Sequence, residues 1–277
     1  MDYPELEANF TRWAQAQADL RAAVLIGSRA RSEPPPDKWS DLDLIVFTTD
    51  LEKYAADRRW LDQFGAVTIA VLERSRRGDA EWLIVYEDGR KLDVLLAPVG
   101  ASGAIETAPY DIVLVYGTRV LFDKSAPAEQ LDLDVRVAST LPTADEFTAA
   151  LNHAWLTALR AAKFTARGDL WRAKHACDSE LKAQLLTMLE WHTLAHDPTR
   201  RVWHDGRLVA QWADRRAVMA LPGCFAAYDA TDLRRALFAT LDLYRWVAIE
   251  TAQRLGFDFP AVAQQHVMRW VQTSLPR

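Results

Sequence analysis

Between Ala22 and Phe47 the chain carries two short apolar runs with polar chemistry at both ends of the loop that joins them. Ala22-Ala23-Val24-Leu25-Ile26 leads into Gly27-Ser28-Arg29, a Pro-rich loop passes through Trp39-Ser40, and Asp41-Leu42-Asp43 opens a second run, Leu44-Ile45-Val46-Phe47. Successive side chains on a strand point to opposite faces, so Asp41 and Asp43 share one face while Leu42 and Leu44 take the other. Two carboxylates are thereby aimed at one point.

Anions held that close repel each other, and keeping both ionised calls for a cation between them. A hard divalent ion with oxygen ligands, Mg2+ by preference, suits the pair. Just upstream, Gly27 lets a phosphate approach the backbone, Ser28 offers an N–H and a hydroxyl, and Arg29 offers a cation; a helix starting here would add the partial positive charge of its N-terminus.

Further on, Trp82-Leu83-Ile84-Val85-Tyr86 and Lys91-Leu92-Asp93-Val94-Leu95-Leu96 flank Asp88-Gly89, a strong hairpin signal. The hairpin puts Asp93 among Leu92, Val94 and Leu95, where an unpaired buried carboxylate costs several kcal/mol, so Asp93 needs a cation or a hydrogen-bond partner. The bland reading is an acid at an exposed hairpin edge paired with Lys91.

Strand, Gly27-Ser28, loop, Asp41-x-Asp43 and strand together resemble the DNA polymerase beta-like nucleotidyltransferase superfamily. In that superfamily the third carboxylate comes from a strand beside the Asp-x-Asp pair, which the resemblance assigns to Asp93. The competing reading is a solvated loop ending in a capping Asp pair.

The 277 residues suffice for two domains. Half are hydrophobic, yet no apolar run approaches the ~18 residues of a membrane span. Met1 to Glu7 is acidic and lacks the cationic start and apolar core of a signal peptide, so a soluble cytoplasmic protein is expected. Cys177 and Cys224 neither form a disulfide framework nor supply a zinc site, and are read as buried, idle thiols. A net charge of −5 disfavours a nucleic-acid binder and suits a cationic partner.

Apolar spacing predicts helices over Glu5 to Leu20 and Leu51 to Phe64, a strand from Ala66 to Leu72, and a last β segment through Ile112 to Phe122. Residues through Pro142 read as a linker. From Thr143-Ala144-Asp145-Glu146, a good N-terminal cap, the period is helical: one helix through Ala162, then Leu170 to Leu194, Gly206 to Met219, Thr231 to Leu255 stopped by Gly256, and a last one within Pro260 to Ser274. The expected architecture is an α/β (α+β) nucleotidyltransferase domain with a mixed sheet over residues 1–135, then an all-α helical bundle over 136–277 that binds the acceptor.

On the helix Leu170 to Leu194, Trp171, Lys174, Asp178 and Leu181 recur at helical spacing and are read as one side of a site wall, against the alternative of a solvated face. His192 and His196 are four apart, as two ligands of one metal would be, but the segment lacks the Glu of a zinc-protease helix and Asp197-Pro198 ends it; they are read as helix-end histidines.

This helix, Leu221-Pro222-Gly223-Cys224 to Tyr228, and Leu241 to Pro260 look like the C-terminal domain of the aminoglycoside 6-adenylyltransferases. With Gly27-Ser28-Arg29, Asp41-x-Asp43 and Asp93 in the right order, the resemblance spans nearly the whole chain. It implies ATP-dependent adenylylation of a streptomycin hydroxyl with release of pyrophosphate. Asp41 and Asp43 would hold two Mg2+ ions, Asp93 would complete one site and act as general base, and Ser28, with Gly27 and Arg29, would hold the phosphates. Lys174 would neutralise the triphosphate. Streptomycin's guanidinium groups match carboxylates in bidentate pairs, which makes Asp178 and then Glu190 candidate acceptor residues, with Trp171 flanking nucleotide or guanidinium. A monomer or homodimer is compatible with this. Two other functions stay open: a nucleotidyltransferase for another acceptor, such as a lincosamide, a nucleotide or a protein, and a non-catalytic nucleotide-binding module, which the intact acidic trio disfavours.

Overall fold

The computed structural model describes residues 2–275 apart from 76, 101–104, 111–113, 115, 126–130 and 132–140. The chain divides into two compact units, Met1–Val137 and Ala138–Arg277.

The first unit opens with α1 (Tyr3–Ala16), started by Asp2, whose carboxylate accepts the Glu5 N–H at 2.9 Å. Its strands are β1 (Leu20–Ile26), β2 (Leu42–Thr48), β3 (Val67–Arg74), β4 (Ala80–Tyr86), β5 (Lys91–Pro98) and β6 (Thr118–Asp123), with the helix α2 (Leu51–Ala56) between β2 and β3. They form one sheet in the order β3-β4-β5-β2-β1-β6. The β2–β5 pair is parallel and the other pairs are antiparallel, so the sheet is mixed, as expected.

Alternation sorts the central strands onto two cores. Leu42, Leu44 and Val46 of β2 and Leu92, Val94 and Leu96 of β5 pack with Leu6, Phe10 and Ala14 of α1. Ile45, Phe47, Leu95 and Ala97 pack on the other side with Tyr110 and Leu114. Each Leu, Val, Ile or Phe among them, fully buried, is worth about 1.5–3 kcal/mol. Asp43 and Asp93 fall, by the same alternation, on the Ile45 and Leu95 side.

The single helix expected over Leu51 to Phe64 is interrupted. Asp57 is extended (φ −132°, ψ 115°) and caps a 3-10 turn over Arg58–Phe64, accepting the Arg59 N–H at 3.0 Å. In the expected last β segment, Thr118–Asp123 forms β6, whereas Ile112, Val113 and Val115 lie outside the described residues, as does most of the predicted linker.

The second unit is helical: α3 (Ala144–Ala166), α4 (Leu170–His175), α5 (Leu181–His196), α6 (Val209–Trp212), α7 (Arg215–Ala220), α8 (Ala230–Leu255) and α9 (Ala261–Ser274). Thr143 and Glu146 form a reciprocal capping box at α3. Gly256, at φ +71°, ends α8 in the left-handed region that favours glycine. The expected helix over Gly206 to Met219 is broken instead into α6 and α7, because Ala213 is extended and the Asp214 carboxylate caps α7 by accepting the Arg216 N–H at 2.7 Å. Cys177 and Cys224 are free and buried. Among the described residues no helix is long and apolar enough to cross a membrane.

A π-helical turn over Ala176–Glu180 joins α4 to α5. Its extra residue advances the helix phase by about 100°. Trp171 stands 76% exposed while Leu181 is fully buried, so Leu181 leaves the expected common face, whereas Lys174 and Asp178 do share one and meet at 2.6 Å.

Candidate nucleotide and metal centre

β1 leads into the glycine turn, β2 carries Asp43 with Asp41 just before it, and β5 carries Asp93. Ile26 is paired across the antiparallel ladder with Asp43, which sets the turn beside the carboxylate. Gly27 adopts φ +71°, and a Cβ there would sit 3.0 Å from Asp43 Oδ2, so only glycine leaves room for the acid. Its N–H donates to the Gly117 carbonyl at 2.9 Å, clamping the turn to the segment before β6. Gly27–Arg29 is a single 3-10 turn, so no helix N-terminus contributes there. Ser28 is buried.

Arg29 does not project as a free cation. Its Nε and Nη2 donate to the Ser40 carbonyl at 3.0 and 2.8 Å, and its guanidinium lies 3.4 Å from the centre of the Tyr3 ring. Arg29 thus closes the Pro-rich loop and fixes the residue before Asp41.

On β5, Asp93 is the direct partner of Asp43 in the parallel register. The hairpin predicted Asp93, but β5 is an interior strand, not an exposed edge. Carboxylate oxygens of Asp41, Asp43 and Asp93 lie within 4.8 Å of one another. Lys91, two residues before Asp93 and so on the same face, places Nζ 2.9 Å from Asp41 Oδ2 and 2.9 Å from Asp93 Oδ2. The pairing with Lys91 therefore exists within the acidic cluster. The reading of Lys91 as a surface partner misses this role, for which its i−2 spacing from Asp93 is the signal in the sequence.

The electrostatics are those of crowded anions. Burial, followed by the charges of Asp93 and Asp41, pushes the Asp43 carboxyl up to about 7. Burial also raises Asp93, against the hydrogen bond and charge of Lys91. Glu81 on β4 is raised by burial and then by Asp93. Burial acts to lower Lys91, but its bonds to Asp93 and Asp41 outweigh that and raise it. Asp93 Oδ1 is buried with no hydrogen-bond partner among the described residues. An all-oxygen donor set and one orphaned carboxylate oxygen fit a hard divalent cation such as Mg2+, which would share the acids with the Lys91 ammonium.

In the second unit Lys174 and Asp178 are engaged with each other. Lys174 Nζ bonds Asp178 Oδ2 at 2.6 Å and the Ala226 carbonyl. Asp178 also accepts the Ala226 N–H at 3.3 Å and lies 3.6 Å from Lys182 Nζ. Burial, then the charge of Asp205, pushes Glu190 up to about 7.

A mixed sheet with three convergent carboxylates beside a Gly-Ser turn defines a nucleotidyltransferase. The model of the streptomycin adenylyltransferase family matches residues 2–274, and the chain belongs to that family. It is 23% identical over 261 residues, 91% of this chain and 90% of the other, to an aminoglycoside 6-adenylyltransferase of Bacillus subtilis. It is 26% identical over 190 residues, 65% of this chain and 63% of the other, to an aminoglycoside 6-adenylyltransferase of Campylobacter jejuni. A crystal structure of an aminoglycoside 6-adenyltransferase from Bacillus subtilis aligns over 99% of this chain and 98% of its own, with 19% identity and a TM-score of 0.47.

Proposed function

We propose that this chain transfers AMP from ATP to a hydroxyl of an aminoglycoside, streptomycin first, and releases pyrophosphate, with two Mg2+ ions held by Asp41, Asp43 and Asp93. The observation that supports it most is the Asp43–Asp93 pairing, which with Asp41 makes an oxygen-lined cation site beside the Gly27-Ser28 turn. The family's relatives named aminoglycoside 6-adenylyltransferases support the acceptor class.

In the reaction the acceptor oxygen bonds to the α-phosphorus as the bond to the bridging oxygen breaks, and pyrophosphate leaves. Magnesium held by Asp41, Asp43 and Asp93 would neutralise charge on the phosphates. Asp93 takes the hydroxyl proton on Oδ1, the oxygen Lys91 does not hold, and its raised pKa brings it nearer the range of an effective base. Lys91 fixes Oδ2 and keeps the carboxylate oriented. Gly27 admits the terminal phosphates to the backbone, and Ser28 offers its N–H and hydroxyl to them. Arg29 keeps the loop closed behind Asp41.

An acceptor with guanidinium groups calls for acids outside the trio. Asp178 and Glu190 are the candidates; Asp178 would exchange one of its lysine partners, Lys174 or Lys182, for the drug. Lys174, so released, and the exposed Trp171 are the candidate contacts to nucleotide. A cytoplasmic location matches the use of ATP.

The test is pyrophosphate release from ATP and Mg2+ by the purified protein, screened over aminoglycosides and lincosamides, with the adduct mass recorded. Streptomycin should release pyrophosphate and gain one AMP. Release with a lincosamide alone would move the acceptor to another class, and no release above the ATP-only baseline with any acceptor would overturn the reading.

A further inference from the structure

His192 and His196 lie one turn apart at the end of α5, and Glu250 reaches them from α8. A ring nitrogen of each histidine and a carboxylate oxygen of Glu250 lie within 4.8 Å of one another. His192 Nε2 is 3.0 Å from Glu250 Oε2, and the two imidazole centroids are 4.3 Å apart. A hydrogen-bonded His-Glu pair engages one imidazole, and the exposed His196 ring at the helix end faces it.

His196 Nδ1 lies 2.9 Å from the His192 carbonyl oxygen. A carbonyl only accepts, so Nδ1 carries the proton and Nε2 keeps the lone pair. Trp246 Nε1–H donates to Glu250 Oε1 at 2.7 Å, which leaves Oε2 toward the histidines. Ligating histidines and carboxylates are oriented in this way, each held by a hydrogen bond on the atom that does not ligate.

We propose that His192, His196 and Glu250 bind a first-row divalent transition metal, Zn2+ by ligand preference, and that the ion ties the end of α5 to α8. Two imidazoles and a carboxylate suit zinc, whereas the all-carboxylate trio of the first unit suits magnesium. Zinc bonds of ~2.0–2.2 Å place donor atoms ~3.3–3.5 Å apart in a tetrahedron. The His192–Glu250 pair is already near that spacing, and Glu250, 38% exposed at its side chain, has the freedom to close the rest. Three protein ligands leave a fourth position for water or a solute. His192 is buried at 2% exposure, so the ion would be gripped from inside the bundle.

The test uses the full chain, stripped with a chelator and titrated calorimetrically with ZnCl2 in excess Mg2+, which occupies oxygen-only sites. One equivalent of Zn2+ should bind, and Zn2+ should raise the melting temperature. Glu250→Gln retains an acceptor for Trp246 and His196→Ala alters a partly exposed ring, so both variants should melt like the parent without zinc. Each should bind Zn2+ at least ~10-fold more weakly, the lower end of what loss of even an outer contact costs a metal site. Co2+ should give visible bands in the parent that vanish in both variants. Absence of Zn2+ binding in the parent, unchanged affinity in both variants, or binding abolished by Asp41→Asn instead would overturn the proposal.

Discussion

Asp43 and Asp93 stand directly opposite each other across the parallel ladder of β2 and β5. That placement brings two acids from strands distant in the chain to one point, where burial and mutual charge act on both. Burial and the neighbouring acids push Asp43 up to about 7, above the 3.8 of an ordinary aspartate. The folded state therefore binds more protons than the unfolded one between about pH 4 and 7, so this contribution to stability is complete below pH 4 and is lost as pH rises through 7. Its upper bound is about 4 kcal/mol. Denaturant unfolding of the chelated protein at pH 5 and pH 8 should show the parent weakening toward pH 8 and Asp43→Asn losing that slope, with pyrophosphate release abolished in the same variant. An unchanged slope, or near-normal turnover, would remove Asp43 from the centre.

Asp93 carries a second expectation. With Oδ2 held by Lys91 and Oδ1 unpartnered, Asp93→Asn keeps the shape of the strand but removes the carboxylate proposed as the base. Single-turnover adenylylation should slow by at least ~10²-fold, while ATP affinity changes much less. An unaltered chemical step would leave Asp93 a structural residue.

Lys91 neutralises two acids when no ion is bound, so Lys91→Met should destabilise the chelated protein. The lysine is 36% exposed at its side chain and Asp41 32%, so solvent screening limits the loss to about 1 kcal/mol. Excess Mg2+ should narrow the gap between variant and parent, since the ion supplies the missing charge. A gap that Mg2+ leaves untouched would mean Lys91 acts by packing alone.

The strand period was enough to put Asp41 and Asp43 on one face, and Asp88-Gly89 was enough to locate Asp93. Thr143 with Glu146, and Gly256, marked helix ends correctly because capping is local chemistry. Lys91 was harder: its role depends on β5 lying beside β2, which is a fact of strand order. Arg29 has the composition of a phosphate ligand, but the loop folds back so that Ser40 takes its donors. The π turn at Ala176–Glu180 leaves no compositional trace, and it turns Leu181 away from Trp171 while Lys174 and Asp178 still meet. Glu250 joins His192 only through the packing of α5 on α8.

Asp178 sits within that π turn, and its surroundings decide what its loss would do. Its carboxylate lies between Lys174 at 2.6 Å and Lys182 at 3.6 Å, and the Lys182 side chain is only 10% exposed. Lys182 is tied in turn to the Cys177 carbonyl at 3.0 Å and to Thr240 Oγ1 on α8 at 2.9 Å. Asp178→Asn should therefore leave a nearly buried ammonium short of counter-charge and cost about 1–3 kcal/mol of stability. Removing that charge as well, in Asp178→Asn with Lys182→Met, should recover part of the loss, so that the two changes cost less together than the sum of each alone. Thermal unfolding of the two single variants and the double variant measures this coupling, and strict additivity would show that the pair does not interact. Streptomycin titrated calorimetrically into Asp178→Asn, at a temperature where it is folded, then separates structure from recognition. Weaker binding by at least ~10-fold is expected if the carboxylate meets a guanidinium, since a charge-assisted hydrogen bond is worth ~1.5–3 kcal/mol; parental affinity would confine Asp178 to holding its two lysines.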